Sequence, residues 1–257
     1  MKATLTVLGS GTSMGVPTIG CNCAVCYSLD PHDRRTRPSV FIEYDGNSVL
    51  IDTTPDFREQ AIRERIRRVD AVLYTHTHAD HILGIDDLRP LSYQHKPGKL
   101  PLYAKPEAAE FLRNMFHYIF EPKYKFGGLP QVELHAIDGP IDLFGAKFEP
   151  VTVIHGETEI YGYRFGSAAY LTDHSSIPEA SLAQLKNLDI LFLDALRHMP
   201  HPTHSTVEQS LNIVEQVNPK RAFFTHICHD LPHAATNASL PPHARLAYDG
   251  MKLEFEI

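Results

Sequence analysis

The sequence predicts two β-sheets packed face to face with helices on their outer surfaces, an α/β protein of the αββα sandwich class. Three observations predict it. Strand-like runs come first, a helix follows, and the same order returns in the second half. The runs either alternate or are wholly apolar, so each has a face to bury. At 257 residues, 43% hydrophobic and 21% charged, the chain can build one large core. With no repeat, linker or low-complexity tract, it reads as a single domain over 1–257.

Each element has a local reason. Residues 4–8 alternate and stop at Gly9-Ser10-Gly11. Residues 40–44 and 48–52 flank Asp45-Gly46-Asn47, a hairpin signal. A charged amphipathic helix is predicted over 56–68, and a short buried strand over 71–75. Residues 106–119 predict a helix with Pro106 in its first turn, and 120–130 a loop. The second half predicts strands at 147–154, 161–165, 169–172, 189–193 and 221–225. It also predicts helices from Pro178 to about Lys186 and over 205–217, and residues 253–257 alternate as a closing strand.

The net charge of −7 argues against a broad basic surface for nucleic acid. No run approaches the roughly 18 apolar residues of a membrane span, and residues 1–8 lack a signal-peptide apolar region. The expected compartment is the cytoplasm, where four cysteines stay reduced. Three of those cysteines fall within six residues, and there are sixteen histidines; both turn attention to metal.

His76, His78, Asp80 and His81 follow the buried run 71–75 directly. Three imidazoles and a carboxylate suit Zn²⁺, Mn²⁺ or Fe²⁺. Spaced so closely, they feed two adjacent ions more naturally than one. Cys21, Cys23 and Cys26 form Cys-x-Cys-x₂-Cys, which can close around one Zn²⁺ given a fourth ligand. Cys228 is isolated, whereas His229 stands three residues after His226.

The His-x-His-x-Asp-His cluster resembles the signature of the metallo-β-lactamase superfamily. That resemblance implies a histidine, an aspartate and a histidine downstream, each at a strand end; His155, Asp173 and His226 occupy such places. It implies one metal on His76, His78 and His155, another on Asp80, His81 and His226, and Asp173 bridging them. Asp52, at the superfamily's first motif, is expected to orient a ligand imidazole from behind. His174, beside Asp173, is read as exposed.

The cysteine run, with Gly9-Ser10-Gly11, Gly15-Val16-Pro17, Thr225 to His229 and Asp249-Gly250-Met251, resembles the PhnP-like phosphodiesterases more narrowly. The resemblance implies His229 as the fourth ligand of a structural zinc, two active-site zinc or manganese ions, and a homodimer. It implies hydrolysis of a small cyclic phosphodiester, with 5-phosphoribosyl 1,2-cyclic phosphate as the reference substrate. The expected chemistry is attack by a water activated between the two ions. His204, just before the 205–217 helix, is the expected general acid, acting with Asp80 and Asp173. Lys96, Lys99, Lys105, Lys123 and Lys125, in the segment 95–130, are read as solvated. The alternatives are an RNA phosphodiesterase like tRNase Z, a lactonase or thioesterase of the same fold, and a non-catalytic PqqB-like protein.

Overall fold

In the computed structural model, which describes residues 1–95, 98–121 and 128–257, two seven-stranded sheets lie among the described residues. The first half of the chain supplies β1 (Lys2–Gly9), β2 (Ser39–Tyr44), β3 (Asn47–Ile51), β4 (Ala71–Leu73), β5 (Leu100–Ala104) and β6 (Val132–Ala136). The second supplies β7 (Ile141–Leu143), β8 (Ala146–His155), β9 (Thr158–Phe165), β10 (Ala168–Leu171), β11 (Ile190–Asp194), β12 (Arg221–Thr225) and β13 (Ala244–Leu246). The last strand, β14 (Lys252–Glu256), returns to pair antiparallel with β1. The sheet orders are β14-β1-β2-β3-β4-β5-β6 and β13-β12-β11-β10-β9-β8-β7. Each sheet is antiparallel on one side and parallel on the other, running parallel from β3 to β6 and from β10 to β13.

Side-chain alternation sorts the strands between layers. Leu5, Val7, Val40 and Ile42 of the first sheet meet Phe148, Phe165, Tyr170 and Phe192 of the second in the central core. Phe41, Leu50 and Val72 point the other way, onto Phe57, Leu88 and Leu112 of the outer helices. Leu171, Leu191 and Leu193 do the same against Leu185 and Val214. The result is the αββα sandwich.

Several boundaries differ from the sequence reading. The predicted 56–68 helix spans only Phe57–Arg63, because Arg65 takes a left-handed backbone (φ 57°) and ends it. The predicted 106–119 helix splits into Pro106–Met115 and His117–Phe120 at Phe116. The helix predicted from 205 starts at Val207, where Thr206 and Gln209 form a capping box. Strands β5, β6, β7 and β13 and the helix His233–Ser239 went unread: Pro101 interrupts β5, and β7 and β13 have three residues each. Lys96, Lys123 and Lys125 lie outside the described residues, and Lys99 is exposed. Lys105 is partly shielded, pairing with Glu159 at 3.6 Å and Glu107 at 3.9 Å. No helix among the described residues is long and apolar enough to cross a membrane.

Candidate metal centre

The topology brings strand ends to one edge of the sandwich. Asp52 follows β3, the 76–81 cluster follows β4, His155 ends β8, Asp173 follows β10 and His226 follows β12. Open α/β sheets place their sites at the carboxyl ends of parallel strands for this reason. Asp52, Asp173 and His226 all adopt positive φ, of 65°, 55° and 58°. Such a backbone costs a non-glycine residue about 1–3 kcal/mol, and here it turns each side chain into the site as its strand ends.

Two donor sets result. His76, His78, His155 and Asp173 each offer an atom within 4.8 Å of the others, and so do Asp80, His81, Asp173 and His226. Asp173 belongs to both. Its carboxylate lies 3.8 Å from His76 Nε2, 3.4 Å from His81 Nε2 and 3.2 Å from His226 Nε2. His155 Nε2 and His78 Nδ1 face each other at 3.3 Å.

Neighbours hold the rings in the tautomers a cation needs. His81 Nδ1–H donates to Asp52 Oδ2 at 2.7 Å, leaving Nε2 for the site. The Thr75 N–H and hydroxyl also donate to Asp52, each at 2.8 Å, and the same hydroxyl accepts from His76 Nδ1–H at 3.0 Å. His155 Nδ1–H donates to the Thr203 carbonyl at 2.8 Å. One buried aspartate and one hydroxyl thus aim His76 and His81 together. Such supports fix ring orientation and raise ligand basicity.

The donor set fits divalent ions. His76 Nε2, His81 Nε2, His226 Nε2 and Asp80 Oδ2 are buried with no hydrogen-bond partner. An unsatisfied buried polar atom costs about 1–3 kcal/mol, and cations held by the two donor sets, one reached by His76 and the other by Asp80, His81 and His226, would remove that cost. The charges agree. Burial opposes ionisation of Asp173, yet His226 and His81 hold it well below the usual carboxylate range. His81 and His226 hold Asp80 low in the same way. Burial pushes His226 down, but Asp173, Asp80 and Asp194 more than offset this and raise it to about 9. The carboxylates thus set the pocket to hold positive charge.

His204 joins the site by stacking on His226, ring centroids 4.4 Å apart, and meets the His155 ring edge-on at 4.8 Å. Its Nδ1–H donates to Asp194 Oδ2 at 2.6 Å. Asp194 is fully buried at the end of β11, and sequence reasoning missed it. The signal was present: Asp194 ends an apolar strand run, as Asp52 and Asp173 follow theirs. His174 is corrected. It is completely buried, with Nδ1 3.0 Å from Ser205 Oγ, because the turn after β10 carries it inward. The site opens through a cleft of about 620 Å³ lined by His76, His78, His155, Gly156 and Thr203.

A second cluster lies beside the first. Cys21, Cys23 and Cys26 Sγ stand 3.1, 3.6 and 3.4 Å from His229 Nδ1. The Cys26 N–H draws the Cys23 thiol down to about 7, while burial pushes Cys26 up to about 11. Cys228 is buried and stands apart from this group. Buried Arg35 straps the cysteine loop to the β12 turn, donating to the Cys228 carbonyl (2.8 Å), the Leu231 carbonyl (2.6 Å) and Asp33 (3.1 Å). Asp249 holds the other end, accepting from Ser10 and Thr36 at 2.6–2.9 Å.

Comparison with known proteins agrees with this geometry. A family model described as the β-lactamase superfamily domain matches residues 47–227. A crystal structure described as a new diphosphatase from the PhnP family is 64% identical, with a TM-score of 0.94, covering 99% of this chain and 98% of that one. An octanoyltransferase of Porphyromonas gingivalis is 39% identical over 251 residues, covering 96% of this chain and 50% of its own. A ribonuclease Z of Methanococcus maripaludis is 24% identical over 169 residues, covering 62% of this chain and 50% of its own. The chain therefore spans about half the length of these curated relatives. Zn²⁺-bound PqqB from Methylobacterium extorquens, 19% identical with a TM-score of 0.79 over 97% of this chain and 99% of that one, shares the fold. With its family model, strand-end ligands and cysteine knuckle in agreement, this chain belongs to the metallo-β-lactamase superfamily as a PhnP-like hydrolase.

Proposed function

We propose that the chain is a two-metal phosphohydrolase that cleaves a P–O–P or P–O–C linkage in a small molecule. The observation that carries this reading is the pair of donor sets sharing Asp173. Divalent ions held there, zinc or manganese, would supply an acidified water and neutralise charge on phosphate oxygens. His76, His78 and His155 would hold one ion and Asp80, His81 and His226 the other, with Asp173 common to both. Asp52, Thr75 and the Thr203 carbonyl keep the ligand nitrogens pointed inward. A third, structural zinc would sit on Cys21, Cys23, Cys26 and His229.

His204 supplies the remaining need. Burial, with His226, pushes its imidazole down to about 4, so it is neutral near pH 7 in the free protein. A bound phosphate anion raises that value by favouring the imidazolium. Asp194 holds Nδ1, which leaves Nε2 to deliver a proton to the departing oxygen.

Nearness to the PhnP-family diphosphatase favours a diphosphate-linked substrate. The Asp194–His204 pair favours a second reading, a cyclic phosphodiester such as 5-phosphoribosyl 1,2-cyclic phosphate, whose alkoxide leaving group needs a proton more than a departing phosphate does. The cleft has the size of a small-molecule site, which weighs against RNA. The octanoyltransferase name belongs to a protein twice as long. The thiols offer no free acyl carrier, since three face His229 and Cys228 is buried.

Protein reconstituted with Mn²⁺ or Zn²⁺ should be assayed on a nucleoside diphosphate sugar, bis(p-nitrophenyl) phosphate, 2′,3′-cyclic nucleotides, phosphoribosyl cyclic phosphate, a lactone and an octanoyl thioester. Turnover confined to phosphorus substrates is expected. Turnover confined to the lactone or the thioester would sink the reading.

A further inference from the structure

The cleft over the metal centre has a second lobe that the metal ligands do not account for. It encloses about 410 Å³, within the roughly 300–1,000 Å³ of small-molecule sites, and shares His76, Thr77, Glu157, Thr158 and Ile160 with the first lobe. The helix Pro106–Met115 forms one wall. That helix buries Ala109 and Leu112 in the outer core and turns Glu107 and Phe111, one turn apart, toward the cleft. Phe111 is 47% exposed, so its ring stands open to the lobe instead of packing into the core. Ala108 and Ile160 extend the apolar surface beside it.

Charge decides what the lobe can hold. Among the described residues lining it, Lys105 is the one Lys or Arg, against the carboxylates of Glu107, Glu157 and Glu159. Its amine is already engaged. It lies 3.6 Å from the Glu159 carboxylate and 3.9 Å from that of Glu107, and it donates to the Glu159 carbonyl at 3.4 Å. A second phosphate in this lobe would meet carboxylates in excess, with Lys105 already paired. An uncharged group bearing hydroxyls or amino groups meets the opposite situation, since ionised carboxylates only accept hydrogen bonds. A flat aromatic group adds stacking on Phe111. A nucleoside has both features, in its ribose hydroxyls and its planar base.

We propose that this lobe is a nucleoside subsite: with the substrate's phosphate on the metal centre, the attached nucleoside lies along Thr77 and Thr158 and its base stacks on Phe111. The proposal rests on the phosphohydrolase reading of that centre. It narrows the substrates to nucleotide-linked diphosphates or diesters, ahead of sugar phosphates that carry no base.

The test is equilibrium binding by calorimetry, which needs no turnover. Adenosine 5′-monophosphate, ribose 5-phosphate, inorganic phosphate and phosphocholine are titrated into the full metal-loaded chain. The nucleotide should bind about 10-fold or more tightly than ribose 5-phosphate, the gain that base–aromatic stacking supplies. Phe111→Ala should cut that preference to about 2-fold or less, and Phe111→Tyr should keep it. Inorganic phosphate affinity, metal content and melting temperature should match wild type in both variants. Equal wild-type affinity for the nucleotide and ribose 5-phosphate overturns the proposal, as does Phe111→Ala with its preference intact. Tighter binding of phosphocholine than of the nucleotide also overturns it, since ring and carboxylates would then serve a cation. The two failures are distinct. Nucleotide preference in a chain that cleaves no phosphorus compound would refute the phosphohydrolase reading and leave the subsite standing. Turnover of phosphorus substrates without that preference would refute the subsite alone.

Discussion

Asp173 is one side chain serving two donor sets, and its backbone conformation makes this feasible. A left-handed residue two positions after the end of β10 swings the carboxylate between His76 on one side and His81 and His226 on the other. Asp194 does a related task from behind, fixing His204 as Asp52 fixes His81. The leaving group separates a proton-donating His204 from a merely structural one. His204→Ala should lower turnover about 10²–10⁴-fold on substrates that release an alkoxide. On bis(p-nitrophenyl) phosphate, whose leaving group is stable near neutrality, the loss should be small. An equal loss on both substrates, with metal content intact, would remove His204 from proton transfer.

Among the elements, the coupling between the cysteine loop and the β12 turn matters most. Gly11 bridges to Ile227, the Thr12 N–H donates to the Ile227 carbonyl at 3.1 Å, and the Ile227 N–H donates to Ser10 O at 2.9 Å. The loop arriving from β1 thus lies directly against the turn that carries His226. Gly9, where the loop begins, is needed for the close pass against the segment leading into β2, since a Cβ there would meet the Arg37 carbonyl at 1.9 Å. Cys23→Ala should therefore act at two distances. It should lower the melting temperature by several degrees, as expected for loss of a metal cross-link, and it should weaken metal retention at the His226 set. The measurements are thermal unfolding and metal content after dialysis against a weak chelator. A variant with full melting temperature and full metal content would show that the two clusters are independent.

For the whole molecule, metal, protons and stability are linked. His226 is raised to about 9 and His81 lies well above its ordinary value, so both carry protons near pH 7 when no metal is present. Metal binding must displace those protons. Its affinity should therefore rise with pH up to about 9 and fall steadily as the pH drops below neutrality. Calorimetry in buffers of different ionisation enthalpy should detect net proton release, and elemental analysis should approach three ions per chain. Binding to the folded state alone also stabilises it, so the loaded protein should melt above the chelated one. Proton uptake on loading, or saturation at one ion, would contradict the two donor sets.

Much of this architecture was legible without coordinates. Strands β1, β2, β3 and β12 show alternation or uniform apolarity; their order suggests the αββα class, and the histidine and aspartate motifs at the strand ends, through the resemblance they carry, strengthen it. The 76–81 cluster was visible as a local pattern after an apolar run, whereas His155, Asp173 and His226 were implied by the resemblance to the superfamily; Asp194, which ends a run of the same kind, was not read. Short strands such as β7 and β13 were not visible, since three residues carry too little periodicity to stand out from a loop. Tertiary structure alone decided which strand ends meet, that Asp52 and Thr75 jointly aim two imidazoles, and that Asp194 stands behind His204. It also turned His174 inward against Ser205, contrary to the exposed position read from sequence. Sequence records what each strand end offers. Which ends converge depends on sheet order and register, set by burial between residues far apart in the chain.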